Sequence, residues 1–220
     1  MPSDLHFHTY YSNDAYNDPA VVLPIMTQSG ITVIAPTDHD AVEANADFAS
    51  LIAGYDIDLV TGVELDADHP ELGHFHILGY GFDAGHPDMI SYCEREQAAG
   101  RRFLDGVLTI MMEDGHLDSA ASFDAWGKAA QPQRRLGLKQ CGQWLTEKRG
   151  MSDDAAKAYI KAADARGDKS YRCPHPADAI DAIRRAGGIA VMAHPICIRH
   201  PDRMESVIDA ILELGAIGVE

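Results

Sequence analysis

The sequence predicts an α/β protein with a mainly parallel sheet and an all-helical insertion. In residues 2–80, short apolar runs alternate with stretches of helical periodicity, which is the order typical of parallel sheets. The alternation stops in residues 88–172, where only helical patterns occur, and it resumes in residues 176–220. Histidines and a glutamate stand at the ends of several predicted strands, which is the edge where α/β folds build their sites.

Composition and charge narrow the possible functions. The chain has 220 residues, 46% of them hydrophobic, which suits one domain with an insertion and a sizeable core. Its formal net charge of -16 argues against a protein that binds long nucleic acid through the phosphates. As substrates, small phosphorylated molecules or short oligonucleotides are favoured. No signal peptide and no membrane-spanning run is found, so a cytoplasmic protein without a membrane partner is expected. The four cysteines form no CxxC pair and are interpreted as unpaired buried thiols.

The first elements follow from short local patterns. Residues 2–7 predict a strand, and residues 19–29 predict a helix that Asp18 can cap. Pro24 inside that helix predicts a kink or a later start. The β-branched run 31–35 predicts a strand that is buried on both faces.

The next part of the chain completes the first β-α-β series. A helix is predicted over residues 41–53, followed by strands over 57–63 and 74–80. Glu64 would stand at the end of the first of these strands. Asp66 and Asp68 are interpreted as solvated loop residues between them.

The remaining residues divide into a helical insertion and a return to the α/β order. The predicted barrel domain comprises residues 1–87 and 173–220, with residues 88–172 as the insertion. Helices are predicted in the insertion over 95–115, 119–130, 136–149 and 152–166. After it come a helix over 177–186, a strand over 189–193, a helix over 202–214 and a strand over 216–219.

Two histidines one residue apart close the first predicted strand. His6 and His8 project from the same face because alternate side chains of a strand do so. Imidazole is a common ligand for zinc, manganese and iron, and Asp14 in the next loop can add a carboxylate oxygen. Alone, this motif fits a surface strand with incidental histidines equally well. Because His39 and Glu64 also follow predicted strands, a metal site is favoured.

Six short motifs occur in one order along the chain. They are His6-x-His8, Ser12-x-Asp14, Thr37-Asp38-His39-Asp40, Gly62-Val63-Glu64, His76-Ile77-Leu78-Gly79 and Ala193-His194-Pro195. Together they resemble the PHP (polymerase and histidinol phosphatase) family over residues 3–86 and 173–220. The helical middle is similar to the insertion of bacterial PHP phosphoesterases, which act on nucleoside 3′,5′-bisphosphates or on the 5′ ends of short RNAs.

The resemblance implies a distorted (β/α)7 TIM-like barrel and a metal-dependent phosphoric ester hydrolase. Proteins of the PHP family carry an Asp-x-His pair some tens of residues after the strand that ends in Ala-His-Pro. This sequence has no such pair up to Glu220, so the barrel is expected to lack its C-terminal strand or strands. Glu64 would bridge two metals, and a hydroxide shared by them would attack phosphorus. Two to three divalent ions (manganese, iron or zinc) would be bound by His6, His8, Asp14, His39, Glu64, His76 and His194.

Further roles follow from the same resemblance. Glu64, His39 and His194 would be the catalytic residues. Arg134 and Arg135 of the insertion would clamp the substrate phosphate, since guanidinium groups match its oxygens. Asp38 and Asp40 would orient ligands. His74 is an alternative to His76, which is favoured because it stands directly before the Ile-Leu-Gly sequence.

Two other classes of function stay open at this point. An amidohydrolase-type enzyme would use a similar HxH barrel on a carbonyl substrate. It would normally place a carboxylated lysine or a further ligand histidine at a middle strand, and no lysine stands at a predicted strand end, since the earliest lysine is Lys128. A non-catalytic metal-binding remnant of the family would bind metal without turnover. Both alternatives predict that the protein does not hydrolyse phosphate esters.

Overall fold

The computed structural model describes residues 2–167, 173–195 and 201–220, and it divides into two compact units. The first unit comprises Met1–Thr9, Asn17–Glu96 and Arg172–Glu220. The second comprises Tyr10–Tyr16 and Gln97–Tyr171. The α/β class predicted from the sequence is confirmed.

The strands and helices follow in this order along the chain. The strands are β1 (Ser3–Phe7), β2 (Val33–Pro36), β3 (Asp58–Leu59), β4 (Gly62–His69), β5 (Gly73–Tyr80), β6 (Ile189–Met192) and β7 (Gly218–Val219). The helices are α1 (Pro19–Gln28), α2 (Glu43–Leu51), α3 (Pro87–Glu113), α4 (Ala120–Gly127), α5 (Leu138–Arg149), α6 (Asp153–Arg166), α7 (Pro176–Arg185) and α8 (Met204–Glu213).

The first unit contains a three-stranded sheet in which β1, β2 and β3 are all parallel. Ile34 and Ala35 of β2 are fully buried, as their apolar run predicts. Helix α1 connects β1 to β2, and the Asp18 carboxylate caps it by accepting a hydrogen bond from the Ala20 amide at 2.9 Å. The helix runs through Pro24, so the later start allowed in the sequence analysis is wrong.

The second sheet has the order β4-β5-β6-β7, and here the expectation of a mainly parallel sheet is wrong. Strand β5 is antiparallel to both β4 and β6, and only β6 and β7 are parallel. The physical reason lies in the connection of residues 70–72 between β4 and β5. Parallel neighbours need a crossover of a dozen or more residues, so this short loop allows only a hairpin.

The predicted strand over residues 57–63 is in fact two strands that belong to different sheets. Strand β3 pairs with β2, and β4 starts at Gly62. A Cβ at Gly62 would lie 2.5 Å from the Pro36 carbonyl oxygen, so glycine is needed for this close approach. The Asn45 side chain holds the Gly62 backbone with two hydrogen bonds of 2.9 Å. A bridge between His39 and Glu64 then links the two sheets.

Alternation along β4 separates an apolar face from a polar one. Val63, Leu65 and Ala67 are fully buried in the core of the first unit, against helix α7 and strand β6. Because successive side chains of a strand point to opposite faces, Glu64 and Asp66 lie on the other side. The core therefore fixes the plane from which these carboxylates project.

The second unit is helical, as the insertion pattern predicts. Part of α3 packs with α4, α5 and α6 around a buried cluster that includes Phe123, Trp144 and Leu145. Helix α3 begins at Pro87, well before the predicted residue 95. A proline is tolerated at a helix start, where its missing N–H has no partner to lose.

Three further features bear on the sequence predictions. Within the described ranges, the strands form two sheets and no closed barrel. No helix in that part of the chain is long and apolar enough to cross a membrane. Cys93, Cys141 and Cys173 form no disulfide among the described residues; the first two are buried and Cys173 is half-buried, whereas Cys197 lies outside the described residues.

Candidate metal centre

The carboxylate of Glu64 is fully buried and lies among the nitrogens of several histidines. Its Oε2 atom is 2.8 Å from His8 Nε2, 3.2 Å from His6 Nε2 and 3.4 Å from His39 Nε2. His6 belongs to β1 and His8 follows it, so both reach Glu64 from the same strand, as the HxH spacing predicts. His39 lies just beyond β2 and pairs with Glu64 through the backbone bridge.

The second oxygen of Glu64 faces another pair of histidines. Its Oε1 atom is 2.8 Å from His76 Nδ1 and 2.9 Å from His194 Nε2. These two ring nitrogens lie 3.2 Å from each other. His76 comes from β5 and His194 follows β6, so three strands of one sheet converge on this oxygen.

This donor set fits divalent metal ions better than it fits simple ion pairs. One carboxylate cannot balance five imidazolium charges, and at most one proton can lie between His76 Nδ1 and His194 Nε2. Neutral imidazoles with a shared carboxylate are, in contrast, a suitable ligand set for zinc, manganese or iron. Glu64 belongs to two groups whose ligand atoms lie within 4.8 Å of one another, His6–His8–Glu64 and Glu64–His76–His194, and His39–Asp66–His76 is a further such group.

Buried aspartates fix the backbone around these ligands. Asp38 is fully buried, and it accepts hydrogen bonds from the Thr9 amide and from Thr9 Oγ1, which fixes the chain directly after His8. Asp40 adopts a left-handed φ of 48° and accepts a hydrogen bond from the Asp66 amide at 3.2 Å. Both aspartates therefore support the loops that carry ligands, rather than contacting them directly by these bonds.

His194 is held in an uncommon backbone conformation. Its φ is 24°, which is rarely adopted by a residue other than glycine. Its amide donates to the Glu220 carboxylate at 3.1 Å, and the same carboxylate lies 2.9 Å from His6 Nδ1. Glu220 thus orients two histidines of the centre, a role that the sequence analysis missed.

Asp66 is the second residue that the sequence analysis missed. Strand β4 extends to His69, so neither Asp66 nor Asp68 is a solvated loop residue, and Glu64 is not at the strand's end as predicted. The Oδ1 atom of Asp66 lies 2.7 Å from His39 Nδ1 and 3.6 Å from His76 Nε2. The period of two from Glu64 to Asp66 was the pattern that could have revealed it.

The choice of His76 over His74 stays a prediction that the contacts support. His76 Nδ1 reaches Glu64, whereas His74 Nδ1 lies 2.9 Å from Asp68. The Nε2 atoms of the two histidines are 3.1 Å apart. Because β5 alternates, both rings lie on one face and form a continuous row.

The electrostatics of the centre follow from this packing. Burial lowers the pKa of His39, but the carboxylates of Asp66 and Glu64 outweigh it and raise the pKa to about 9. Burial alone would raise the pKa of Glu64, yet hydrogen bonds from His194, His6 and other imidazoles hold it below its ordinary value. The centre without metal therefore combines an ionised carboxylate with a protonated His39 at neutral pH.

The chain is similar in sequence to several bacterial phosphoester hydrolases. No family model matches it. It is 30% identical over 205 residues to the 5′-3′ exoribonuclease Rnm of Salmonella typhimurium, covering 87% of this chain and 64% of that protein. It is 27% identical over 199 residues to the 3′,5′-nucleoside bisphosphate phosphatase of Chromobacterium violaceum, covering 87% and 66%. The chain thus spans about two thirds of the length of these relatives.

A solved structure shows the same fold over the whole chain. It is a candidate metal-dependent phosphoesterase from Bifidobacterium adolescentis, with a TM-score of 0.82 and 19% identity, covering 100% of this chain and 77% of that one. These similarities to bacterial phosphoester hydrolases agree with the PHP resemblance that the six motifs predict.

The other residues that the PHP resemblance singled out belong to the second unit. The Asp14 carboxylate accepts a hydrogen bond from Ser12 Oγ at 2.5 Å. The Arg134 guanidinium stacks on the Tyr16 ring, 3.8 Å from its centroid, and the Arg135 amide donates to the Tyr10 carbonyl at 3.0 Å. The metal and phosphate roles of Asp14, Arg134 and Arg135 stay predictions.

Arg134 has an unusual environment within the second unit. Its Nε and Nη2 atoms are buried and have no hydrogen-bond partner among the described residues. Burial lowers the pKa of this guanidinium, although it stays charged. A buried cation with an unused pair of donors is costly unless an anion binds there.

Proposed function

We propose that this chain acts as a metal-dependent phosphoesterase on a small phosphorylated substrate. The observation that carries the proposal is the buried Glu64 carboxylate, whose two oxygens face two different sets of imidazole nitrogens. A carboxylate in this position can hold two divalent ions side by side. The names of the PHP relatives support a nucleotide substrate, such as a nucleoside 3′,5′-bisphosphate or the 5′ end of a short RNA.

We propose that two ions share Glu64, one with His6 and His8 and the other with His76 and His194. The PHP resemblance implies a third ion, with His39 among its ligands. Manganese, iron and zinc all suit these ligands. The finer fold, a distorted (β/α)7 barrel, is part of the same proposal, and the parallel first sheet and its bridge to β4 support it.

The chain's own residues would prepare the substrate and the ligands. Bound divalent ions supply Lewis-acid chemistry: they neutralise phosphoryl oxygens and lower the pKa of water. Asp66 accepts the Nδ1 proton of His39 and so directs Nε2 of that ring towards Glu64. The Nε and Nη2 donors of Arg134 form one edge of the guanidinium, which matches two phosphate oxygens.

Phosphate release is the direct test of this proposal. The purified chain with Mn²⁺ would be assayed on a nucleoside 3′,5′-bisphosphate, a 5′-mononucleotide, histidinol phosphate and a short 5′-phosphorylated RNA. We expect release of inorganic phosphate from the bisphosphate or of mononucleotides from the RNA, and little phosphate from histidinol phosphate. Metal binding without release from any of the four would contradict the proposal and favour a non-catalytic metal protein.

Replacing Asp66 with asparagine is expected to weaken metal binding about 10- to 100-fold. The amide cannot balance a protonated His39, and it lets the ring turn or change its tautomer. Isothermal titration with Mn²⁺ would measure the change. Asp58→Asn is the matched control, because Asp58 is an exposed aspartate of β3. Equal affinity in the Asp66 variant and the wild type would show that Asp66 does not support His39.

A further inference from the structure

A second group of metal-binding side chains lies at the far end of the β4–β5 hairpin. The antiparallel register places Asp66 opposite His76 and Asp68 opposite His74. Successive side chains of a strand point to opposite faces, and Ala67 and Phe75, which lie between these residues, are buried in the core. The two aspartates and the two histidines therefore project from the face away from the core. The row of donors that begins at Glu64 therefore continues past the candidate metal centre.

A cysteine completes this second group. The Cys173 amide donates to Asp68 Oδ2 at 3.0 Å, and the Asp68 amide donates to the Pro174 carbonyl at 2.8 Å. These two bonds fix the segment before α7 against the end of β4. His74 Nδ1 lies 2.9 Å from Asp68 Oδ1. As a result, a thiol, an imidazole and a carboxylate each offer a ligand atom within 4.8 Å of the others.

We propose that Asp68, His74 and Cys173 bind a zinc-type divalent ion, separate from the ions around Glu64. Zinc takes mixed sulfur, nitrogen and oxygen ligands in a tetrahedral arrangement at about 2.0–2.3 Å. Three protein ligands leave its fourth position for water. The thiolate makes this site softer than the Glu64 centre, whose described ligands are imidazoles and carboxylates, so the two sites would prefer different metals.

The ion would join two parts of the first unit that are distant in sequence. Asp68 and His74 belong to the β4–β5 hairpin, whereas Cys173 precedes helix α7, which packs on that hairpin's sheet. Binding would release the thiol proton, because a coordinating cysteine is a thiolate. The inference goes beyond the proposed function and does not depend on it.

Cobalt substitution tests this site without measuring activity. The metal-free full chain would be titrated with Co²⁺, and a thiolate-to-cobalt charge-transfer band would be followed in the near ultraviolet. We expect the band in the wild type and its loss in Cys173→Ser, with one cobalt ion fewer per chain. Cys93→Ser is the matched control, because Cys93 is a buried thiol of α3 in the same unit and outside the group.

Two further variants keep the result unambiguous. His74→Ala leaves the fold intact because the His74 side chain is 42% exposed, and it should shift the titration midpoint of the band at least about tenfold. Glu64→Gln should lose cobalt from the other centre and keep the band. A band that survives in Cys173→Ser, or cobalt bound by the wild type with no band, would overturn the proposal.

Discussion

Glu64→Gln is expected to lower phosphoester hydrolysis at least about 10³-fold, equivalent to about 4 kcal/mol of transition-state stabilisation. Glu64 offers a ligand atom to both groups, one with His6 and His8 and the other with His76 and His194. Glutamine has nearly the same volume, but its amide nitrogen cannot bind a cation. Steady-state phosphate release with saturating Mn²⁺ would measure the loss, and metal content per chain would show its cause.

A buried glutamate elsewhere in the first unit provides the control for this experiment. Glu96 is 4% exposed and accepts a hydrogen bond from Arg95 Nε at 2.8 Å. Glu96→Gln should keep both metal content and turnover. Circular dichroism should show that both variants fold, because a buried amide can still hydrogen-bond to the surrounding groups. Full activity in the Glu64 variant would mean that the metals, or the reaction, lie elsewhere.

The clustering of His6, His8 and His194 could be predicted because it depends largely on local geometry. The alternation that pairs His6 with His8 is a property of any strand, and His194 directly follows an apolar run that is typical of a strand. The structure brings these histidines to Glu64, as the metal-site hypothesis requires. The alternative of incidental surface histidines does not account for five rings around one buried carboxylate.

The residues that were missed depend on pairing between strands, which a single sequence does not display. Asp66 contacts His39 only because β4 continues to His69 in an antiparallel hairpin. Glu220 reaches His6 from β7's end, over a sequence separation that no local pattern spans. The break between β3 and β4 likewise depends on the close approach of Gly62 to β2, a tertiary contact. Helix caps such as Asp18 were predictable because they act within one turn.

Arg134→Gln is expected to reduce kcat/KM about 100-fold while leaving the free energy of unfolding unchanged or higher. The proposed role of Arg134 is to bind substrate phosphate. Its buried Nε and Nη2 atoms have no partner among the described residues, so the folded state loses few interactions when they are removed. Groups kept for binding often cost stability in this way. Kinetics on the preferred substrate and urea unfolding would measure the two quantities.

Arg101→Gln gives the opposite expectation and serves as the control. Arg101 belongs to the same unit, and its guanidinium makes two hydrogen bonds of 2.8 and 2.9 Å to the Asp124 carboxylate and a third to Asp105. Its loss should cost up to about 1 kcal/mol of stability, since the pair is partly exposed, and should leave kcat/KM unchanged. If Arg134→Gln instead destabilised the fold and kept full activity, Arg134 would be a structural residue held by its contact with Tyr16, and the substrate phosphate would need another partner.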